Sequence, residues 1–436
     1  MQGRKQSFIR FLLLGTLLFC GMSAVMMSAV MANTVTVNAK EVRAVWVSFY
    51  EYEGAGLKNK GEEEFRQNAD QMFRNIRDNG CNTVYFHVRA FDDAIWPSDN
   101  FEFSSYMGDD TPSYDPLAIL IEAAHKYKLS FHAWMNPYRI TQKKIYDPSE
   151  ESTTSRILLA VREVIDNYSV DGVHFDDYFY PSKGHKQYSD YSVLSSKEKM
   201  SYTNEMVKAV YNTVKQKSAA LLFGISPAGN VEYCESIGAD VKRWMSESGY
   251  VDYIIPQIYW SNVYMLGGKQ TKLFDDRLRQ WRQLNTAGVD MYIGLGLYRG
   301  GMKDSSDLGW SRSSKVVASE ISKVRKSSGV SGYSLFSYES LYKKACQKEV
   351  KNMLSRISTV KIKAASGRKM KRGQRVKLTA SVWPLRLGQN VTWKSSNRKI
   401  ATVSKRGIVR ARKKGKVKMY AKKGSRKAVI QIRVVS

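Results

Sequence analysis

The chain has 436 residues, of which 43% are hydrophobic, 12% aromatic and 25% charged, so it can form two or three domains with real cores and is neither disordered nor collagen-like. The formal net charge of +29 would by itself suggest a nucleic-acid partner. The excess is local, because residues 356–436 contain 26 Lys or Arg and no Asp or Glu, whereas the first 355 residues contain 43 basic and 40 acidic residues.

The amino terminus has the layout of an export signal. Arg4, Lys5 and Arg10 precede an apolar run that begins at Phe11 and continues with small residues to Ala32. A basic segment, an apolar segment and small residues before a cleavage site are typical of a secretory signal peptide. The run is also long enough to span a bilayer without cleavage. We therefore expect residues 1–32 to be a signal peptide or an N-terminal membrane anchor, and the protein to be secreted or cell-wall associated.

The cysteines predict neither a disulfide framework nor a metal site. Apart from Cys20, the chain has only Cys81, Cys234 and Cys346, which are odd in number, widely spaced and without a CxxC pair. We expect three buried thiols, and we expect no metal and no cofactor.

Eight short apolar runs recur between residues 41 and 341, separated by amphipathic segments that carry Lys and Glu. Strands that alternate with helices pair in parallel, and eight such units in about 300 residues favour an α/β fold, the (β/α)8 TIM barrel, over a doubly wound sheet. The runs lie at residues 42–50, 82–90, 129–137, 170–178, 221–227, 251–260, 289–298 and 330–339.

Strand periodicity predicts which side chains face the barrel axis, because alternate residues point to opposite faces of a strand. Polar and aromatic side chains gather in this way at the C-terminal ends of the strands, where barrel enzymes have their active sites. The predicted inward positions are Tyr85, His87, Arg89, His132, Trp134, Asn136, His174, Asp176, Gln257 and Tyr259.

Carboxylic acids at strand ends favour glycoside hydrolysis, in which one acid protonates the leaving oxygen and a second activates water or attacks the sugar. The candidates are Asp176, Asp177 and Glu339. The alternation of side chains along the strand points Asp176 into the barrel mouth, whereas Asp177 begins the loop. We therefore expect Asp176 to be the more important of the two aspartates for catalysis. Glu339 ends the eighth run and is the expected partner, with Asp92 next in line.

Aromatic residues on or just after the strand ends also favour a sugar-binding site, since sugar faces stack on flat apolar rings with polar rims. These residues are Trp46, Tyr85, Trp134, Tyr138, Tyr178, Tyr180, Tyr259, Trp260, Tyr298 and Tyr338.

Two other chemistries are disfavoured. His87, His132 and His174 lie on neighbouring strands, but they lie below the strand ends and lack HExxH-type spacing, which favours hydrogen-bonded core histidines over a zinc site. Ser226 lies in GISPAG and lacks the GxSxG elbow of an esterase nucleophile.

Several strand-end motifs resemble the glycoside-hydrolase-like 10 family over about residues 40–345. They are EVRAVWVS, FHVRAFDDAIWPS, YDPLAILIEAAHKYKLSFHAWMNPYR, VDGVHFDDYFYP and VDYIIPQIYWS. The resemblance implies an exported or envelope TIM-barrel protein that acts on bacterial envelope polysaccharide, with cleavage of peptide-free peptidoglycan glycan among the family's activities.

The resemblance also implies site residues motif by motif. HFDDYFYP supplies Asp176 and Asp177, and the two motifs HAWMNPYR and HVRAFDD supply Asn136, Tyr138, Arg139, Arg89 and Asp92. With the inward and aromatic positions, the expected substrate-binding set is Arg89, Asp92, Trp134, Asn136, Tyr138, Arg139, His174, Tyr178, Gln257, Tyr259, Trp260 and Tyr298.

The basic tail resembles a group 2 bacterial Ig-like domain. Its marks are VKIK, RGQRVKLTASVWP, VTWKSSNRKIATVSKRGIVRARKKGKVKMYAKKG and AVIQIRVV, in which alternating apolar positions and Gly or Ser turns suit an antiparallel sandwich. The absence of acidic residues predicts a polyanionic partner. Nucleic acid is not expected, because the chain carries an export signal and the aromatics Trp383, Trp393 and Tyr420 fit core positions.

We therefore expect a TIM barrel at 40–350 and a small C-terminal all-β Ig-like sandwich at 357–436. The expected function is that of an exported glycosidase that hydrolyses a bacterial envelope polysaccharide, with peptidoglycan glycan as the leading candidate, and whose basic module binds an anionic cell-wall polymer. The alternative is a non-catalytic polysaccharide-binding wall protein on the same scaffold.

Overall fold

The computed structural model describes residues 41–436. The predicted signal peptide or anchor, residues 1–32, lies outside the described residues. Residues Val42–Ser436 form one compact unit, in which a closed barrel precedes two four-stranded sheets. No helix among the described residues is long and apolar enough to cross a membrane.

Eight parallel strands form the barrel, and their order around it is their order in the chain. Each strand lies within one of the predicted apolar runs. The closed sheet confirms the (β/α)8 barrel and excludes the doubly wound alternative, which would leave two open edges. The strands are Val42–Val47 (β1), Thr83–Arg89 (β2), Ser130–Met135 (β3), Gly172–Phe175 (β4), Leu222–Ile225 (β5), Tyr253–Ile254 (β6), Asp290–Leu295 (β7) and Gly332–Leu335 (β8).

Helices cover the outside of the barrel. The first buries Phe65, Ala69, Met72, Phe73 and Ile76, a spacing of three to four residues that places one apolar stripe on the sheet. The helices are Glu62–Asp78 (α1), Pro116–Lys126 (α2), Glu151–Asn167 (α3), Tyr188–Tyr191 (α4), Ser196–Lys217 (α5), Val231–Ser236 (α6), Val241–Ser246 (α7), Leu273–Leu284 (α8), Gly309–Arg312 (α9), Val316–Val324 (α10) and Gln347–Ile357 (α11).

The barrel has two cores, as strand parity predicts. The larger core lies between strands and helices and contains outward residues such as Val84, Phe86 and Phe131. The smaller core lies inside the barrel and consists of Ala44, Trp46, Tyr85, Trp134, Tyr253, Ile255 and Tyr292. Cys81, Cys234 and Cys346 are buried free thiols, as expected.

Strand register brings the polar strand ends to one height. Trp134 of β3 pairs with His174 of β4, and Met135 pairs with Phe175. The next residues, Asn136 and Asp176, therefore leave the sheet side by side at the C-terminal end of the barrel.

A glycine on β5 makes room for the inner core. Gly224 pairs with Tyr253 of β6, and a Cβ atom at Gly224 would overlap the Tyr253 ring. We expect Gly224→Ala to lower the free energy of unfolding by about 1–3 kcal/mol, the usual cost of overpacking a core. Urea denaturation measures this, with Gly54→Ala as the control because a Cβ atom there lies 3.8 Å from its nearest neighbour, Glu51 O. Equal stability of the two variants would contradict the expectation.

The C-terminal domain is a sandwich of two sheets. Each sheet has four strands. Alternate side chains of both sheets form a core that includes Met370, Leu378, Val409, Met419 and Ile432. The strands are Thr359–Ala364 (β9), Lys369–Lys371 (β10), Arg375–Trp383 (β11), Thr392–Ser395 (β12), Ala401–Val403 (β13), Ile408–Ala411 (β14), Gly415–Lys423 (β15) and Arg426–Val435 (β16). One sheet has the order β9-β11-β14-β13 and the other β10-β16-β15-β12.

One arginine joins the sandwich to the bottom of the barrel. Arg386 donates to Asn79 Oδ1 at 2.7 Å, to Leu341 O at 2.8 Å and to Gln347 Oε1 at 2.8 Å. Its guanidinium carbon also lies 4.7 Å from the centre of the Tyr342 ring. Because α1 ends beside Asn79, this contact is at the N-terminal end of the barrel strands, away from the mouth.

Candidate active site

A cavity of about 110 Å³ opens at the C-terminal ends of the barrel strands. Strands β1 to β6 and β8, with the loops that follow them, contribute its walls. Predicted and unpredicted residues meet here: Trp46, Ser48, Phe49, Tyr50, His87, Trp134, Asn136, Arg139, Asp176, Asp177, Tyr178, Ser226, Gln257, Tyr259 and Phe336.

The aspartate pair, Asp176 and Asp177, lies on one wall of this cavity. Asp176 is only 3% exposed, and its Oδ1 accepts the backbone N–H of Tyr178 at 3.0 Å. Burial and the charge of Asp177 raise the pKa of Asp176 well above its ordinary value, although Tyr178, Arg139 and Trp134 oppose the rise. Burial raises the pKa of Asp177 to about 6, against a hydrogen bond from Gln257 and the charge of Arg139. The pair therefore retains about one proton near neutral pH.

Arg139 and Tyr178 form the outer part of the same wall. The Arg139 guanidinium lies 3.6 Å from the centre of the Tyr178 ring, and Tyr178 is 45% exposed. The arginine is thus held over an aromatic face near both aspartates, where its charge favours their ionised forms.

His174, an expected substrate contact, is fully buried under the cavity floor and is not among the residues that line the cavity. Its Nε2 accepts from Trp46 Nε1 at 3.1 Å, which places the ring proton on Nδ1, beside Tyr253 OH at 3.2 Å. Ser226 Oγ also lies 3.0 Å from Nε2. Because Nδ1 faces a hydroxyl and not a carboxylate, Ser226 and His174 do not form a hydrolase triad.

Five residues of the cavity carry buried polar atoms without a hydrogen-bond partner. These atoms are both ring nitrogens of His87, Trp134 Nε1, Asn136 Oδ1, Asp176 Oδ2 and Tyr259 OH. Most buried polar groups in proteins are paired. These polar groups face one another in one cavity, where Trp134 favours the ionised form of Asp176 and Asn136 opposes the lowering of the His87 pKa by burial.

Arg89 and Asp92 form a structural network beside the cavity and do not line it. Arg89 is 1% exposed and donates to Asn136 O at 3.0 Å and to Asp92 Oδ1 at 2.6 Å. Arg156 and Tyr146 also bond to Asp92. Although burial opposes ionisation, these partners hold the pKa of Asp92 below its ordinary value, so Asp92 is not a free proton donor.

Three predicted aromatic contacts also lie outside the cavity lining. Tyr138 is fully buried and packs against Phe179. Trp260 packs on the outer core. Tyr298 lies behind the lining, edge-on to Tyr259 and Phe336, and so supports the wall that they form.

Glu339 is not brought to the aspartate pair, which corrects its predicted role as the partner carboxylate. Strand β8 ends at Leu335, Phe336 lines the cavity, and Glu339 lies four residues beyond the strand in a separate groove with Glu51 and Tyr338. Its side chain is exposed. The chain has turned away from the mouth before Glu339 is reached.

Glu51 is a buried carboxylate that the sequence reasoning missed. It accepts from Ser48 N at 2.7 Å, Ser337 Oγ at 2.7 Å and Glu339 N at 2.6 Å. Burial raises the pKa of Glu51 to about 7 despite these bonds. Glu51 thereby ties the loop after β1 to the loop after β8, and both loops supply cavity walls. Its place in a capping box, Ser48-Phe49-Tyr50-Glu51, is the signal that could have found it.

Comparisons with known proteins find relatives of both domains. The family model of glycosyl hydrolase-like 10 matches residues 41–156 and 138–312, and that of the bacterial Ig-like domain (group 2) matches residues 358–432. Glycosyl hydrolase YngK of Bacillus subtilis (strain 168) is 29% identical over 363 residues, 70% of this chain and 69% of the relative. Glycosyl hydrolase DigH of Escherichia coli (strain K12) is 27% identical over 294 residues, 53% of this chain and 65% of the relative.

Among solved structures, the PgaB (BpsB) glycoside hydrolase domain from Bordetella bronchiseptica aligns with 72% of this chain and 99% of its own. The TM-score is 0.48 and the identity is 13%.

Proposed function

We propose that the barrel hydrolyses glycosidic bonds of a bacterial envelope polysaccharide. The chain belongs to the glycosyl hydrolase-like 10 family, and a group 2 bacterial Ig-like domain follows its barrel. The observation that carries the proposal is the aspartate pair, two carboxyls that hold about one proton between them at the mouth of a barrel. Glycoside hydrolysis needs a carboxyl that gives a proton to the leaving oxygen and a carboxylate that assists the sugar.

Aromatic walls around the pair support a sugar substrate. Trp46 and Trp134 form the inner wall and Phe336 lies opposite β4, while Tyr50 and Tyr178 are 66% and 45% exposed at the rim. Large apolar surfaces with few polar groups are typical of binding clefts. We propose that a glycan chain enters between the exposed rings and that one sugar reaches the aspartates.

The basic module supports an envelope location. Its cations have no acidic residue within the module to pair with, so it attracts polyanions such as anionic wall polymers. Together with the export signal predicted at residues 1–32, this favours peptidoglycan glycan as the polysaccharide. The alternative is a barrel that binds the glycan without cleaving it.

The experiment is an incubation of the full chain with peptide-free peptidoglycan glycan strands, with new reducing ends measured and products identified by mass spectrometry. Hydrolysis adds one water per cleaved bond, whereas a lytic reaction yields an anhydro product. An Asp176→Asn, Asp177→Asn double variant is the control. Binding of the glycan without new ends would favour the alternative, and neither binding nor cleavage would refute the proposal.

The pH profile tests the shared proton. At low pH both carboxyls are protonated and no carboxylate is present, while at high pH both have lost their protons and none is left to donate. The profile of kcat/KM against pH should therefore be bell-shaped, with its acidic limb near pH 6.

Arg139→Gln removes a positive charge that favours ionisation of both aspartates, so the acidic limb should move to higher pH. Arg66→Gln, in an exposed ion pair on α1, is the control. An acidic limb that stays in place in Arg139→Gln would contradict this role.

A further inference from the structure

Resting on the glycosidase function proposed above, we propose that the cavity binds the 2-acetamido group of an N-acetylated sugar and that this group, not a protein carboxylate, attacks the anomeric carbon. The sugar thus supplies its own nucleophile, and the aspartate pair serves only proton transfer and orientation.

Both carboxyls of the cavity lie on the same side of it. Glycosidases that use two carboxyls place them on either side of the scissile bond. Asp176 and Asp177 are consecutive residues at the end of one strand, and among the described residues no other acid lines the cavity. Glu339 lies in another groove, and Asp92 forms ion pairs with Arg89 and Arg156. The wall opposite β4 provides Phe336, and the neighbouring β1 side provides Trp46, Ser48, Phe49 and Tyr50, none of which is a carboxylate.

The buried polar atoms of the cavity match the polar atoms of an acetamido group. An acetamido group has one N–H donor, one carbonyl acceptor and one methyl. The cavity offers the unpaired donor Tyr259 OH and the acceptors Asp176 Oδ2 and Asn136 Oδ1, and Trp134 lies close enough to Asp176 to favour its ionised form. The residues Trp134, Asn136 and Asp176 are at most 5% exposed, so these groups find no full replacement in bulk water. A volume of about 110 Å³ is below the roughly 300–1,000 Å³ of ordinary ligand pockets and suits a substituent more than a whole sugar chain.

Each polar atom of the acetamido group then has a partner in the cavity. Tyr259 donates its O–H to the acetamido carbonyl and turns that oxygen toward the anomeric carbon. Asp176 is more deeply buried than Asp177, and its Oδ2 accepts the acetamido N–H. Accepting this bond favours ionised Asp176, so the proton of the pair resides on Asp177, which is partly exposed and can reach the leaving oxygen at the open side.

The reaction balances without any other reactant than water. In the first step the carbonyl oxygen forms a bond to the anomeric carbon, the bond to the leaving oxygen breaks, and that oxygen takes the proton of Asp177. Asp176 takes the N–H proton, which leaves a neutral oxazoline. In the second step Asp177 accepts a proton from water, the water oxygen attacks the anomeric carbon, the oxazoline bond breaks, and Asp176 returns its proton to nitrogen.

This route restricts the substrate. The attacking carbonyl must approach from the face opposite the leaving oxygen, so only a glycosidic bond trans to the acetamido group can react. The net configuration is retained, because two successive inversions occur at the same carbon. A glycan without N-acetyl groups should bind in the cleft without reacting.

The test compares peptide-free peptidoglycan glycan strands, the same strands after chemical de-N-acetylation, and strands that have been re-N-acetylated. We expect de-N-acetylation to slow cleavage at least 100-fold and re-N-acetylation to restore it. Cleavage of both forms at rates within threefold, or a covalent sugar adduct on either aspartate, would overturn the inference while leaving the glycosidase function intact. Failure to cleave any of the strands would count against the glycosidase function itself.

Binding gives a readout that does not need turnover. The thiazoline analogue of N-acetylglucosamine, a stable mimic of the cyclised intermediate, should bind the full chain in calorimetry. Tyr259→Phe should weaken that binding at least 10-fold and lower the turnover of N-acetylated strands by about 10²–10³-fold, as the loss of an oxyanion donor does. Tyr180→Phe is the matched control, since the Tyr180 hydroxyl is also buried and unpaired but lies outside the cavity. No binding by the unaltered protein, or equal weakening by both variants, would overturn the acetamido site.

Discussion

Asp176→Asn and Asp177→Asn are each expected to lower kcat by about 10²–10⁴-fold, the usual contribution of a positioned acid or base. Asparagine keeps the shape of the side chain but can neither donate nor accept a proton as a carboxyl group does. Because burial disfavours the charged form at both positions, the variants should be at least as stable as the unaltered protein to heat. Glycan turnover and thermal unfolding, measured on the same preparations, check both parts.

The two losses differ in kind. An aryl glycoside with a good leaving group needs no protonation, so it should restore much of the rate in Asp177→Asn but not in Asp176→Asn. Asp190→Asn, an exposed acid on α4, is the control. The prediction from strand parity, that Asp176 matters more, is contradicted if Asp177→Asn abolishes turnover on natural glycan while Asp176→Asn leaves most of it. Full activity in both single variants would leave only a binding role for the pair.

The barrel was predictable because its signal is repeated eight times. Apolar runs with period two give the strands, and the face opposite the apolar one gives the inward positions. This reasoning correctly placed Trp134, Asn136, Asp176, Gln257 and Tyr259 at the mouth. Each lies on or near a strand end, where the pleat still fixes the direction of the side chain.

Strand alternation predicts which face of a strand a side chain lies on, but it does not predict how deep in the barrel the side chain lies. His174 faces the axis as expected, but it lies two residues below Asp176 and is enclosed by Trp46, Ser226 and Tyr253. Arg89 ends β2 yet bonds to Asn136 O and Asp92, because a register shift between His87 and Arg89 turns the strand end. Periodicity carries no information on such shifts.

Loops were the second source of error. Glu339 was expected at the mouth because it ends an apolar run, but the run continues past the strand into a short turn in which the Glu339 backbone N–H donates to Glu51. That contact joins residues 288 positions apart in the chain.

Tyr420 was expected in the sandwich core, but it lies on the outer face of β15, with Lys427 Nζ 5.1 Å from the centre of its ring.

Both outer faces of the sandwich carry cations. Exposed side chains alternate with buried apolar ones on the long strands, and many of the exposed side chains are basic. On the sheet β10-β16-β15-β12 these are Lys369, Lys371, Lys394, Lys416, Lys418, Lys422, Lys427 and Arg433, and on the sheet β9-β11-β14-β13 they are Lys361, Lys363, Arg375, Lys377 and Arg410. A long polyanion therefore meets a positive field on either side, which favours binding through net charge over a specific pocket.

Retention of the full chain on purified cell walls should consequently fall steeply with salt and be lost at about 1 M, where the Debye length is roughly 3 Å. Two matched variants distinguish net charge from a defined face: Lys416, Lys418, Lys422 and Lys427 to Gln on one sheet, and Lys361, Lys363, Arg375 and Lys377 to Gln on the other. Each removes four charges from exposed positions, so both should weaken retention equally.

Walls stripped of teichoic acids provide the control, because removing the anionic polymer should abolish retention by the module in the same way as salt does. Retention that is unchanged at about 1 M salt would rule out the electrostatic mechanism, since charges are then screened within roughly 3 Å. Loss confined to one of the two four-site variants would instead assign binding to that sheet. No retention at any salt concentration would leave the module as a spacer. Binding of the glycan near the aspartate pair would then depend on the aromatic rim of the barrel alone.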